Sequence, residues 1–164
     1  MSTSRWILLL LAAAGAVLLH RYYSLMPDPM ASSFDGSGRP SGFQSRGVFF
    51  SLSGAMLLLV VVVFGGIGKL FEIVPATWFN LPNRRYWLSP ERREATMDFM
   101  ARQMEWFGVA TIMVLIVAVK LAFDANLRPD RGFDASSMWW LLGLYFAYTG
   151  WWLFHFVRRF RRAS

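Results

Sequence analysis

Long apolar runs alternate with polar segments four times along the chain. The runs cover residues 6–26, 48–68, 106–123 and 138–157, and a membrane-spanning helix needs about 20 apolar residues. Residues 48–68 contain no charged side chain, and in the other runs the ionisable residues lie near an end (His20, Arg21, Lys120, His155). The pattern predicts an all-α, polytopic integral membrane protein, a single domain built as a bundle of four transmembrane helices.

The first run has two interpretations, a secretory signal or a retained helix. Arg5 followed by an apolar core and the small residues 12–16 is typical of a signal peptide. However, the small residues lie in the middle of the run, and Val17, Leu18 and Leu19 follow them, so no cleavage site closes the core. We expect an uncleaved helix, with removal as the alternative.

Proline positions define where the helices are continuous. All seven prolines lie outside the cores of the four runs, and proline inside a helix would remove a hydrogen bond and kink it. Ser89, Pro90 and Glu91 are typical of a helix start. We therefore expect the third helix to run from about Pro90 through Phe123, with its first turns in a polar elbow, residues 69–105.

Charge then orients the bundle. The chain is 55% hydrophobic and 16% charged, with 17 Lys and Arg against 10 Asp and Glu. Eleven basic residues lie in the elbow and the two termini, and six lie in residues 27–47 and the other segments on the opposite side. The positive-inside rule predicts that both termini are cytoplasmic, an N-in/C-in topology with an outer loop at residues 27–47. Because the basic residues are dispersed, we do not expect nucleic acid as a partner.

The sequence offers little catalytic chemistry. The four cores contain no Asp or Glu, whereas ion-coupled carriers use ionisable groups inside the membrane. His20 and His155 fall near opposite membrane faces and cannot ligate one haem. The hydroxyls of Ser51, Ser53 and Thr111 have no activating partner in any recognisable motif. We expect no enzyme, no catalytic residue, no metal site and no cofactor.

The fourth run combines small and aromatic residues. Gly143, Ala147 and Gly150 are spaced so that one helix face stays smooth, which favours packing inside the bundle and leaves a homo-oligomer interface as the alternative. The aromatic side chains indicate either lipid-facing bulk or a surface for a lipophilic molecule. The candidates for the second role are Tyr148, Trp151 and Trp152.

Two loop motifs resemble a known family. The outer loop contains Phe-Asp-x-x-Gly-x-Pro-x-Gly-Phe-x-Ser-Arg over residues 34–46, and the elbow contains Asn-x-x-Tyr-Trp-x-x-Pro-Glu-Arg-Arg over residues 83–93. The two motifs resemble those of small bacterial membrane proteins of unknown function, whose domain also forms the N-terminal part of SdpI-type immunity proteins. The resemblance covers about residues 5–125, but Ser33 stands where many relatives have histidine.

The resemblance and the loops suggest a function based on binding. We expect a non-enzymatic binding or accessory subunit in the bacterial cytoplasmic (inner) membrane, immunity- or signalling-like, with a membrane protein as its partner and the lipid bilayer around it. The alternative is a passive carrier or binder of a lipophilic molecule along the fourth helix. The partner-binding candidates are Phe34, Asp35 and Arg39 in the outer loop and Asn83, Arg84, Tyr86 and Trp87 in the elbow.

Overall fold

A computed structural model describes residues 2–161 as a mostly helical protein. Its elements, in chain order, are α1 (Thr3–Tyr23), β1 (Met30–Phe34), β2 (Pro40–Gln44), α2 (Arg46–Ile73), a 3₁₀ turn (Ala76–Trp78), α3 (Arg84–Trp87), α4 (Arg93–Leu127) and α5 (Ala135–Arg161). Within residues 2–161, three helices are long and apolar enough to cross a membrane, namely α1, α2 and α4. These helices confirm the membrane character predicted from the first three runs.

The segment between α1 and α2 folds as an antiparallel hairpin. Met30 pairs with Gln44 and Phe34 with Pro40, with irregular register between them. An isolated two-stranded hairpin is only marginally stable in water. Here the side-chain amide of Asn126 in α4 extends the sheet, because its Oδ1 accepts from the Ala31 N–H at 2.8 Å and its Nδ2 donates to the Ala31 carbonyl at 2.9 Å. The all-α prediction is wrong for this segment. The sequence did not reveal the hairpin because its strands are short and because Asn126, which bonds to β1, is remote in sequence.

The core lies between α1, α2 and α4. Leu8, Leu57 and Ile112 belong to its central cluster. Two glycines permit this close packing: a Cβ on Gly15 would lie 2.9 Å from the Leu57 side chain, and one on Gly108 would lie 2.5 Å from Phe64 Cβ. We call these three helices the central bundle.

Helix α5 packs on α4, where Tyr145 shares a 2.9 Å hydrogen bond with Thr111 and Trp152 lies 5.1 Å from Phe107, ring centre to ring centre. Its small-residue face does not take part. A Cβ added to Gly143 or Gly150 would meet no atom within 4 Å. The expectation that this face packs inside the bundle is therefore wrong, because the spacing of small residues shows that they share a face without showing which way it points.

The elbow is shorter than the sequence suggested. Helix α2 continues to Ile73 and α4 begins at Arg93, so only residues 74–92 connect them, with one turn of 3₁₀ helix and the short α3. The Ser89 carbonyl accepts from the N–H groups of Arg92 and Arg93, at 3.0 and 2.9 Å. The long third helix is confirmed, but it starts three residues after Pro90. We call this end of the molecule the elbow end and the opposite end the hairpin end.

Candidate functional site

The turn of the hairpin is built around Asp35. Its Oδ1 accepts from Ser37 Oγ at 2.7 Å and from the backbone N–H groups of Ser37 and Arg39, both at 2.9 Å. These donors, the Ser37 hydroxyl first, hold the pKa of Asp35 below its usual 3.8. The carboxylate is thus committed to the turn, while the Arg39 side chain remains exposed.

The hairpin turn is fixed to the α4–α5 connection, residues 128–134. The Phe133 N–H donates to the Gly38 carbonyl at 2.9 Å, and the Phe34 ring stacks on the Phe133 ring with centres 4.6 Å apart. Gly38 and Gly132 face each other, with φ of 81° and 66°, a backbone region that glycine enters without steric cost. Phe34 therefore packs inside the hairpin end, where it holds the hairpin against the α4–α5 connection.

An open pocket of about 670 Å³ lies between the hairpin turn, the end of α4 and the start of α5. Its lining includes the turn residues Gly36 and Ser37 and five charged side chains, which are Lys120, Asp124, Arg128, Arg131 and Asp134. We call it the hairpin-end pocket.

The two carboxylates of this pocket are already engaged. Lys120 forms an ion pair with Asp124 one helical turn away. Asp134 accepts from the Ser137 hydroxyl at 2.5 Å and from its backbone N–H at 2.9 Å, and these bonds lower the pKa of Asp134. In the part of the chain that the structure describes, neither Arg128 nor Arg131 forms an ion pair. Three cations and two carboxylates thus line the pocket, and Arg128 and Arg131 are the two cations outside an ion pair.

At the elbow end, the predicted contact residues hold the last turn of α5. Asn83 Nδ2 donates to the carbonyls of Phe160 and Arg161, at 3.3 and 3.2 Å, and Trp87 Nε1 donates to the Phe160 carbonyl at 3.0 Å. The last carbonyls of a helix lack partners within the helix. Asn83, whose φ is 53°, and Trp87 supply those partners.

The other two elbow candidates also make contacts within the chain. Arg84 Nη1 donates to the Thr77 carbonyl at 3.2 Å. The Tyr86 ring lies under the Arg92 guanidinium, 4.0 Å from its centre, and edge-on to Trp87 at 5.2 Å. Asn83 and Trp87 thus hold the end of α5, whereas Arg84 and Tyr86 make contacts within the elbow.

The aromatic candidates of α5 do not share one surface. Trp152 is 8% exposed and packs between Phe107 and Phe156. Trp151 is 58% exposed, with its ring centre 6.1 Å from that of Tyr148 and 4.4 Å from that of His155. A lipophilic ligand that contacts Tyr148 and Trp151 would therefore not contact Trp152 in this structure.

A buried ionic cluster at the elbow end was missed by the sequence analysis. Glu105 of α4 is 1% exposed, and its Oε1 accepts from Arg5 Nη2 at 2.7 Å and Nε at 3.0 Å. Its Oε2 accepts from the hydroxyls of Ser4, at 2.6 Å, and Ser2. Every oxygen of the carboxylate is satisfied, as a buried charge requires. The only sequence signal was the position of Glu105 beside an apolar run, and its partners are about 100 residues away.

Other potential catalytic groups are dispersed. No three His, Asp or Glu residues among residues 2–161 lie close enough to hold a metal ion. Thr111 Oγ1 donates to the Phe107 carbonyl at 2.9 Å and also bonds to Tyr145 of α5, and His155 Nδ1 lies 2.9 Å from the Trp151 carbonyl of its own helix.

Comparison with known proteins adds no assignment. The chain matches no protein-family model, no curated protein and no solved structure. The hairpin-end pocket is the candidate site because of its geometry and its charge.

Proposed function

We propose that the protein is a non-enzymatic accessory subunit of the bacterial cytoplasmic membrane, with four spans and both termini cytoplasmic. In support, α5 has 27 residues, about 40 Å at 1.5 Å per residue, against a bilayer core of about 30 Å. Successive helices α1, α2, α4 and α5 run alternately between the elbow end and the hairpin end, and the basic residues are concentrated at the elbow end. The hairpin end then faces outward.

Arg128 and Arg131 in the hairpin-end pocket, which form no ion pair within the described residues, carry this proposal. Guanidinium groups bind carboxylates through two parallel hydrogen bonds, so the pocket suits an acidic segment of a partner membrane protein. Arg39 is also exposed on the hairpin whose turn lines the pocket, and we assign it to the same partner contact. We assign Phe34 and Asp35 the role of holding this surface in place, and the elbow candidates Asn83, Arg84, Tyr86 and Trp87 that of a second, cytoplasmic contact.

The test compares loss of the pocket arginines with loss of an exposed arginine outside the pocket. The tagged protein is extracted from its native membrane in mild detergent and weighed by native mass spectrometry. We expect a stoichiometric companion protein with the wild type and with Arg21→Gln, which removes an exposed arginine outside the pocket. The companion should be lost with Arg128→Gln/Arg131→Gln. Retention of the companion by the double variant, or a lone chain in every sample, contradicts the proposal.

An immunity- or signalling-like role rests on the resemblance to the SdpI-type domain alone. The predicted phenotype is that deletion of the gene sensitises the cell to a killing factor that sister cells secrete, and that the wild type, but not Arg128→Gln/Arg131→Gln, restores resistance. Equal growth of the deletion strain and the wild type in the presence of secreted factors would contradict this role. The accessory function is tested separately by native mass spectrometry.

The second candidate function is passive binding of a lipophilic molecule along α5, which the exposed Trp151 and its neighbour Tyr148 favour. Purified protein would then retain a small-molecule adduct that Trp151→Ala abolishes. Trp152→Ala should keep the adduct wherever the protein still folds, because Trp152 faces α4. An adduct unaffected by Trp151→Ala contradicts this assignment.

A further inference from the structure

The C-terminal half of α5 carries a groove that none of the roles above uses. Gly150, Leu153, Phe154 and Val157 form its apolar part, and Arg158 and Arg161 close one end. The spacing of these residues places them on one face of the helix. The groove has a volume of about 490 Å³.

The apolar part is shaped for a chain-like group. Gly150 leaves open space above the helix backbone, since an added Cβ would meet no atom within 4 Å. Leu153 and Phe154 are more than half exposed along the same face. An acyl chain can therefore lie against the backbone at Gly150 and along the side chains that follow.

The charged end is strongly cationic. Helix α5 contains no acidic residue, and neither Arg158 nor Arg161 forms an ion pair within the described residues. The two side chains are three residues apart, so they lie on the same face and can reach one anionic group together.

The elbow holds the last turn of α5, which carries these arginines. Asn83 and Trp87 satisfy the last carbonyls of α5, so the arginine side chains are not needed as caps for their own helix. The Arg159 guanidinium lies 3.8 Å from the centre of the Phe99 ring of α4, which turns that side chain away from the groove residues on the other face. The groove is thus an ordered amphipathic site rather than a flexible tail.

We propose that this groove binds an anionic phospholipid of the surrounding bilayer, with an acyl chain between Gly150 and Val157 and the phosphate on Arg158 and Arg161. The proposal rests on the membrane placement of α5 given above and is independent of the companion protein. Clusters of basic residues beside a span recognise anionic lipids in this way.

The test measures lipid retention by the full chain. The protein is exchanged into nanodiscs of equal parts phosphatidylglycerol and phosphatidylcholine, and the lipids that stay bound on release into the mass spectrometer are counted. Each arginine near an anionic surface contributes about a fivefold preference. Arg158→Gln/Arg161→Gln should therefore lower the ratio of retained phosphatidylglycerol to phosphatidylcholine by about 25-fold. Arg85→Gln, which removes an exposed elbow arginine outside the groove, should lower the ratio by no more than about fivefold.

A second pair of variants separates the groove from charge alone. Gly150→Leu fills the groove without changing charge and should also abolish the preference, whereas Gly143→Leu, at an equally open glycine outside the groove, should not. Equal retention of both lipids by the wild type, or a preference that survives Gly150→Leu, overturns the proposal. Incorporation of every variant into nanodiscs with wild-type helical circular dichroism is the folding control.

If the chain retains neither lipid, the lipid site fails. The mass measurement on the companion protein is unaffected by that outcome, so the two failures are distinguishable.

Discussion

The central bundle and α5 use glycine in opposite ways. In the bundle, Gly15 and Gly108 lie where another helix approaches so closely that a methyl group would collide with Leu57 or Phe64. On α5, Gly143 and Gly150 face open space. Glycine destabilises a helix interior by about 1 kcal/mol relative to alanine. The bundle recovers that cost through packing, whereas α5 does not recover it within this chain, which is consistent with an external ligand or lipid at that face.

The largest expected effect on stability comes from the buried ionic cluster of Glu105 and Arg5. Arg5→Met would leave Glu105 buried without its cation, and we expect the free energy of unfolding to fall by about 3 kcal/mol. Arg102→Met breaks an exposed pair with Asp98 at 3.8 Å and should cost less than about 1 kcal/mol. Unfolding in mixed micelles, followed by tryptophan fluorescence, measures both.

The double variant Arg5→Met/Glu105→Met provides the internal control. It should regain most of the lost stability, because no uncompensated charge remains. Equal free energies of unfolding for Arg5→Met and Arg102→Met would contradict a stabilising role of the Arg5–Glu105 ion pair.

The next effect tests the two glycine environments directly. Gly108→Ala should destabilise by about 2 kcal/mol, since its methyl group would overlap Phe64. Gly143→Ala should be neutral or stabilising by up to about 1 kcal/mol, because alanine favours the helix and meets no neighbour. The same unfolding assay distinguishes them, and the comparison fails if the two substitutions act alike.

A smaller effect concerns the attachment of α5 at the elbow end. Asn83→Ala removes two hydrogen bonds to the end of α5 and places alanine at a φ of 53°, a strain of about 1–2 kcal/mol. We expect faster tryptic cleavage after Arg158 and Arg159, while the central bundle stays intact. Asn83→Gly keeps the backbone conformation and loses only the bonds, so it should lie between alanine and wild type. Cleavage at the wild-type rate in both variants would show that Trp87 suffices.

The smallest effect is the pH response of the hairpin end. Because the pKa of Asp35 is lowered in the folded chain, its contribution to stability is present above the unfolded value near 3.8 and is lost as pH falls through the folded pKa. The amide resonances of Ser37 and Arg39 should shift below pH 3.8, and Asp35→Asn should abolish this titration. The Ser137 amide, which Asp134 holds at the start of α5, should titrate separately in that variant. Persistence of the Ser37 titration in Asp35→Asn would assign it to another group.

The sequence predicted the helices well because lipid imposes a minimum length on apolar runs. Residues 48–68 fall inside α2, and the long third helix is present as α4. The ends differ because apolar runs mark only the region suited to lipid, whereas caps such as Ser45, which accepts from the Val48 N–H at 3.3 Å, set where helices begin.

The sites were less predictable, because each depends on residues far apart in sequence. The hairpin needs Asn126, 95 residues beyond Ala31. Glu105 is buried only because Arg5 reaches it. Arg128 and Arg131 become a site when the hairpin turn forms the opposite wall. The sequence analysis proposed Asp35 and Asn83 as partner-binding candidates, and in the structure their side chains bond to a turn and to a helix end within the chain.

Asn126 and Glu105 also set an order of events during synthesis. Both belong to α4, which leaves the ribosome after α1, the hairpin strands and α2. Until then Arg5 lacks its carboxylate, and the backbone of Ala31 lacks its side-chain partner. The first half of the chain therefore emerges with both polar attachments open, and α4 closes them at opposite ends of the bundle.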